Sequence, residues 1–200
     1  MKILVTGFNP FNNQKENPSL EVLNALDEHY NGHEIRKVNL DVMYHLDANK
    51  VIENIKEFNP DLVLLFGEAG GRRSISLEYD ALNMESATIP DNKGELILHH
   101  EIIEGAPLAY KTNLDVLKIS DKMKDYKFSI SYHAGTYICN EIYFSALDYI
   151  YSNKLNTKCG FVHFPFLTSQ TVDKYKGYFS MEKDEMVVTI YHLIDVINEI

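Results

Sequence analysis

The stretch SYHAGTYICNEIYF, residues 131–144, sets Cys139 between an aromatic approach and an amphipathic continuation carrying Glu141, Ile142, Leu147 and Ile150. That pattern predicts a helix with Cys139 in its first turn. Unpaired N–H groups and the positive end of the helix dipole there favour thiolate and could hold a developing oxyanion, an arrangement suited to acyl transfer from sulfur. Most cysteines of this kind are nevertheless small buried hydrophobes, so chemistry at Cys139 requires partners. The chain has 8 histidines. His29, His33, His99 and His100 stand in polar stretches and read as solvated. His163 lies inside the apolar run GFVHFPF, where a ring needs a hydrogen-bonding partner; taken alone it reads as a core histidine held by backbone. In SISLEYDALNM the alternation places Ile75, Leu77, Tyr79 and Ala81 on one strand face and Ser76, Glu78 and Asp80 on the other. Glu78 is then either a solvated face residue or the carboxylate that fixes the tautomer of a histidine.

Other chemistries fit less well. Gly67, Gly70 and Gly71 do not form the G-x-G-x-x-G spacing of a dinucleotide loop. No H-E-x-x-H is present, and the adjacent His99 and His100 would diverge on an extended segment, so no metal centre is expected. The 19 Lys and Arg against 29 Asp and Glu give a net charge of −10, which repels phosphate backbones and anionic lipid; neither nucleic acid nor membrane is an expected partner. The apolar run Ile3-Leu4-Val5 is too short for a signal-peptide core, so a cytoplasmic location is expected, with Cys139 and Cys159 reduced.

The elements that must position these groups alternate in type. KILVTGF reads as a strand, 19–29 as a helix with Leu20, Leu23 and Leu26 on one face, and Val51, Ile52, Ile55 and Phe58 as a second helix stopped by Pro60. DLVLLFG is apolar on both faces, as in a buried parallel strand. FSISY and GFVHFPF read as further strands, and Val187, Ile190, Tyr191, Ile194 and Ile197 as the stripe of a covering helix. The expectation is one domain over residues 1–200, an α/β fold in three α/β/α layers with a mixed, mostly parallel central sheet. In such sheets sites form where loops leave the carboxyl ends of strands, so the loops after KILVTGF, DLVLLFG and FSISYH are expected to converge. Residues 91–109 read as an irregular excursion.

Taken with their flanks, these residues resemble the pyrrolidone-carboxylate peptidases, or pyroglutamyl-peptidase I family, of the cysteine peptidase class. The likeness runs in order along nearly the whole chain: KILVTGFNPF, NPS at 17–19, AGGR at 69–72, Glu78 with Asn83, IPDN at 89–92, GAP at 105–107, the AG and CN around Cys139, and GFVHFPF. The resemblance implies a Cys-His-Glu triad that removes an N-terminal pyroglutamyl residue from peptides, in a soluble homotetramer without metal or organic cofactor. Cys139 would be the nucleophile, His163 the general base and then acid, and Glu78 the carboxylate orienting the histidine. Phe8 and Phe11 match the aromatic pair flanking the lactam ring; Asn17, Glu68, Ile89 and Tyr137 complete the substrate-binding set. The chain departs from the family pattern at Asn12 and Asn13, where Gly-Gly is common, at Glu68 in place of Gln, and at Thr88 in place of an Arg beside the triad, a role open to Arg72 or Arg73. A scaffold that binds without catalysis is the competing reading, motivated by Thr88 and Glu68.

Overall fold

The computed structural model describes all 200 residues. Strand β1 (Lys2–Phe8) is the buried run expected from KILVTGF, and Pro18 and the Asn17 side chain, which accepts from the Ser19 N–H, start helix α1 (Pro18–Ala25). This helix is shorter than the apolar spacing suggested. Leu26 is already extended, and the chain enters a hairpin of β2 (His29–Tyr30) and β3 (His33–Leu40), turned by Asn31 and Gly32 at φ 45° and 77°. Two positive φ values in an Asn-Gly pair are what a tight hairpin turn demands. Helix α2 (Leu46–Phe58) ends at a left-handed Asn59, before Pro60, and leads into β4 (Leu62–Glu68). There follow β5 (Ile75–Leu82), the short β6 (Ala109–Lys111), α3 (Val116–Lys122), β7 (Phe128–His133), α4 (Ile138–Ser152), β8 (Lys158–Phe164), β9 (Phe166–Leu167), β10 (Ser180–Met181) and α5 (Lys183–Glu199). Pro165, which has no N–H to give a ladder, separates β8 from β9.

Eight strands form one mixed sheet in the order β2-β3-β1-β4-β8-β5-β6, with β7 also on β5. β3, β1, β4 and β8 are mutually parallel, whereas β5 runs antiparallel to β8 and β7 parallel to β5. Alternate residues of the central strands feed two cores. Ile3, Leu64 and Val162 join the helices α1, α3 and α5 on one side; Leu4, Leu65 and Phe161 join α2 and α4 on the other. The molecule is thus the α/β/α sandwich expected from the sequence. Ile75, Leu77 and Tyr79 share the first core as the alternation required, but Ala81 belongs to the second. The β5–β7 ladder keeps one register from Ile75↔Phe128 to Asp80↔His133, with Tyr79 unpaired. Ser76 and Glu78, the face opposite Leu77, are buried rather than solvated because α4 covers them.

Candidate active site

Three elements bring the chemically active side chains together on the α2/α4 face. Helix α4 begins at Ile138, and its cap residue Tyr137 is extended and makes no side-chain cap. The N–H groups of Asn140 and Glu141 bond the Tyr137 carbonyl at 2.9 and 3.1 Å, whereas those of Ile138 and Cys139 reach no backbone carbonyl. Gly135, at φ 83°, lets the chain turn into the helix. Asn140 fixes the helix start to the end of β5: its Oδ1 accepts from the Leu82 N–H at 2.8 Å, and its Nδ2 donates to the Leu82 and Met84 carbonyls at 2.8 and 2.9 Å.

Cys139 therefore stands over the sheet beside Gly67, where a Cβ would come within 2.9 Å of its sulfur. Gly67 is the register partner of His163 across the β4–β8 ladder, so the space beside the Cys139 sulfur is kept open next to the strand position that carries the imidazole, and both side chains line one cavity. On the next strand Glu78 is fully buried, and its Oε1 accepts from His163 Nδ1 at 2.7 Å. The same oxygen accepts from Arg72 Nη1, while Oε2 lies buried without a partner. Tyr143, from α4, donates to the Glu78 carbonyl at 3.1 Å and fixes the strand under the carboxylate.

The electrostatics follow from this enclosure. Burial alone would raise the Glu78 carboxyl, but the hydrogen bond and charge of His163, and then the Arg72 guanidinium, outweigh it and hold the pKa below the usual carboxylate value. Burial lowers His163; Glu78 opposes that shift without cancelling it. Burial likewise pushes the Cys139 thiol up to about 12, with Glu78 and Glu68 adding to the rise and the backbone N–H and Arg72 working against it. The sequence suggested a resting thiolate at the helix start. Here desolvation exceeds the helix-terminus effect for the thiol and also lowers the imidazole, so burial shifts both groups toward their neutral forms.

These groups open into a cavity of about 260 Å³ lined by Phe8, Phe11, Asn17, Glu68, Arg72 and the 133–139 segment, together with His163. The loops after β1 and β4 reach it from the carboxyl ends of parallel strands. The loop after β7 converges too, but by another route: β7 runs against β8, and the chain returns over the sheet face through residues 134–137, held by paired bonds between Ser86 and Thr136. Phe8 is nearly fully buried at the cavity wall, and Phe11 stands across from Tyr137 with ring centroids 6.3 Å apart. Asn17 lines the cavity, but its amide is committed to the fold: Oδ1 accepts from the Ser19 N–H and hydroxyl at 3.0 and 2.8 Å, and Nδ2 donates to the Asn9 carbonyl. Glu68 also lines it, with its carboxylate accepting from Gln14 and Gln170 Nε2 at 2.9 and 2.8 Å. Burial raises the Glu68 carboxyl, and the two amide donors oppose that rise.

Ile89 is not among the lining residues. Its segment is drawn off by the bonds Ala87 N–H to Ile97 and Asp91 N–H to Glu95, and touches the cavity's lining residues next to Ile89 where the Tyr137 hydroxyl donates to the Pro90 carbonyl at 3.0 Å. Thr88 and Arg73 are exposed; the cation beside the carboxylate is Arg72. The lining residues Val42, Ala134 and Thr136 were not singled out by the sequence, because nothing in their types distinguishes them from ordinary packing. Both cysteines are free, and Cys159 is fully buried in β8.

An α/β sandwich whose cavity is lined by a cysteine at an uncapped helix start and by a histidine held by a buried carboxylate has the groups a hydrolase could use. The model of the family described as Pyroglutamyl peptidase matches residues 1–199, and the chain belongs to that family. It is 44% identical over 200 residues to pyrrolidone-carboxylate peptidase 2 of Caldanaerobacter subterraneus, covering 98% of this chain and 96% of that protein. Crystallised pyroglutamyl peptidase I of Bacillus amyloliquefaciens superposes with a TM-score of 0.93 at 29% identity, over 100% of this chain and 97% of that one. A mutant pyrrolidone carboxyl peptidase from Pyrococcus furiosus superposes at 0.94 and 32%, over 100% and 99%. No helix is long and apolar enough to cross a membrane.

Proposed function

We propose that this protein is a cysteine exopeptidase that removes an N-terminal pyroglutamyl residue from peptides. The observation that carries the reading is the Glu78–His163 bond at the edge of the cavity that Cys139 opens into, in a chain of this family. The pyroglutamyl lactam enters between Phe8, Phe11 and Tyr137, which present apolar surface and ring faces to a flat neutral ring. As the Cys139 sulfur attacks the carbonyl carbon, its proton passes to the free Nε2 of His163. Glu78 keeps the other ring nitrogen protonated and stabilises the imidazolium that results. The unpaired N–H groups of Ile138 and Cys139 receive the oxyanion. Collapse expels the peptide amine with the proton from His163, leaving a thioester; water, deprotonated by His163, then releases pyroglutamate and restores the thiol.

Since burial favours the protonated thiol, the reaction needs a neutral His163 to take its proton, and burial of the imidazole favours that form. The test is a series of chromogenic amines linked to pyroglutamate, proline and free N-terminal glutamate. The lactam substrate should be turned over, and the glutamyl one rejected, because its extra ammonium and carboxylate would be buried without partners at a cost of several kcal/mol. Equal cleavage of the glutamyl and pyroglutamyl substrates would rule this pocket out.

A further inference from the structure

Outside the cavity, a second group of chemically capable side chains meets behind the start of α4. His45 caps α2, Glu141 lies in the first turn of α4, and Glu85 follows β5; each offers a ligand atom, and the three atoms lie within 4.8 Å of one another. Both carboxylates are buried, at 0% exposure for Glu85 and 1% for Glu141. Glu141 Oε1 accepts from the His45 backbone N–H at 2.7 Å and stands 3.0 Å from His45 Nδ1. Glu85 Oε1 stands 3.0 Å from Nδ1 of His100, whose backbone is bonded to Glu85 in both directions.

Each carboxylate thus spends one oxygen on a histidine and leaves the other, Oε2, buried with no partner; the Tyr44 hydroxyl is orphaned in the same way. No Lys or Arg pairs with either acid: their charged neighbours are the two histidines and further acids, with Glu95 facing both, Asp47 facing Glu141, and Asp91 facing Tyr44. Buried acceptors are ordinarily satisfied, and buried anions are ordinarily paired or bound to metal.

We propose that His45, Glu85 and Glu141 form a binding site for a divalent transition-metal ion of the zinc type. The imidazole and carboxylate oxygens match the donor preference of Zn²⁺ over Mg²⁺ or Ca²⁺, which favour oxygen-only shells. His100, already on Glu85, orients that ligand from outside. The ion would tie three segments far apart in sequence, the α2 cap, the segment just after β5, and α4 two residues beyond Cys139. Its role is structural, and the pyroglutamyl reaction does not pass through it.

The experiment is Zn²⁺ titration of the full chain by calorimetry and thermal melting, in wild type and in Cys139→Ser, with Mg²⁺ as the control ion. One equivalent of Zn²⁺ should bind, and raise Tm, in both proteins. Co²⁺ should give a visible spectrum without a thiolate charge-transfer band. Glu141→Gln and His45→Asn should each weaken Zn²⁺ binding at least about tenfold. Asn tolerates the left-handed φ of 60° at position 45, and His45 is more than half exposed at 54%, so that variant reads binding even where the buried change unfolds the chain. Zn²⁺ binding that vanishes in Cys139→Ser, or that is untouched by His45→Asn, would overturn the assignment, as would an equal Tm rise with Mg²⁺ or no binding at all.

Discussion

Gly67→Ala perturbs the meeting point of thiol and imidazole without removing either. The added Cβ would sit 2.9 Å from Cys139 Sγ and 2.8 Å from Phe161 Cζ, against the 3.4 Å at which ordinary contact begins. The sulfur and the ring must therefore each give by about 0.5 Å: Phe161 is fully buried, and with the helix start fixed through Asn140 to β5 the Cys139 sulfur must swing away from Gly67. Overpacking of this kind costs about 1–3 kcal/mol, a fall in Tm of roughly 2–12 °C for a chain of this length. The effect on rate is separate from that on stability. A displacement approaching 1 Å at a reacting atom costs up to about a hundredfold, so kcat/KM for a pyroglutamyl amine should fall about tenfold to a hundredfold, mainly through kcat. Gly71 meets nothing within 4 Å and its φ is not in the left-handed range, so Gly71→Ala is the matched control and should keep wild-type Tm. The assay is steady-state kinetics beside thermal melting for both variants. Wild-type kcat/KM and Tm in Gly67→Ala would refute the claim that glycine there holds the space for the sulfur.

Glu78→Gln should lower kcat by about 10²–10⁴-fold with KM little changed, because an amide no longer enforces the histidine tautomer; its acid limb in kcat/KM should move to lower pH, since the anion that supports the imidazolium is gone. Arg72→Met should move the same limb to higher pH, because the Arg72 charge depresses His163; equal profiles for the two variants would contradict the assignment of His163 as base. Glu68→Gln should raise kcat/KM severalfold, as a negative charge that opposes thiolate development disappears; superimposable pH profiles would show that charge to be without influence on the sulfur. On stability, the folded pKa of His163 lies below its ordinary 6.5, so below about that pH the unfolded chain binds the extra proton and stability falls. Glu78, also lowered from 4.5, adds a further loss as pH drops below about that value. Denaturant melts from pH 8 to 4 should show this decline, and a much smaller one in His163→Ala.

The sandwich was legible because buried parallel strands are apolar on both faces and their covering helices on one, so β1, β4, β8, α2 and α5 announced themselves. The β2–β3 hairpin was not singled out. Its signal, the Asn31-Gly32 turn ahead of the alternation His33-Glu34-Ile35, stood behind an apolar spacing that suggested a longer first helix. Glu78 and His163, which the structure joins by a hydrogen bond, were legible as individually odd placements, an acid on a strand and a histidine in an apolar run, and only the family likeness grouped them with Cys139. What sequence could not convey was depth. Cys139 at a helix start reads as electropositive until its half-buried setting beside Gly67 is seen, and Glu78 reads as solvated until α4 covers it. Arg72 was named only as a possible replacement for a missing cation, and the structure places its guanidinium on the Glu78 carboxylate. The His45, Glu85 and Glu141 cluster left no trace in sequence, since its members are spaced across three elements and each reads as an ordinary surface or helix-face group.

The central claim is that the Cys139 sulfur takes the pyroglutamyl group from the peptide. Acid quenching during turnover of an activated pyroglutamyl ester, followed by peptide mapping in a mass spectrometer, reads this directly. The account predicts one pyroglutamyl adduct on the peptide carrying Cys139, none on the buried Cys159, and no turnover in a folded Cys139→Ser variant. An adduct on another residue, or turnover that persists in Cys139→Ser, would contradict it.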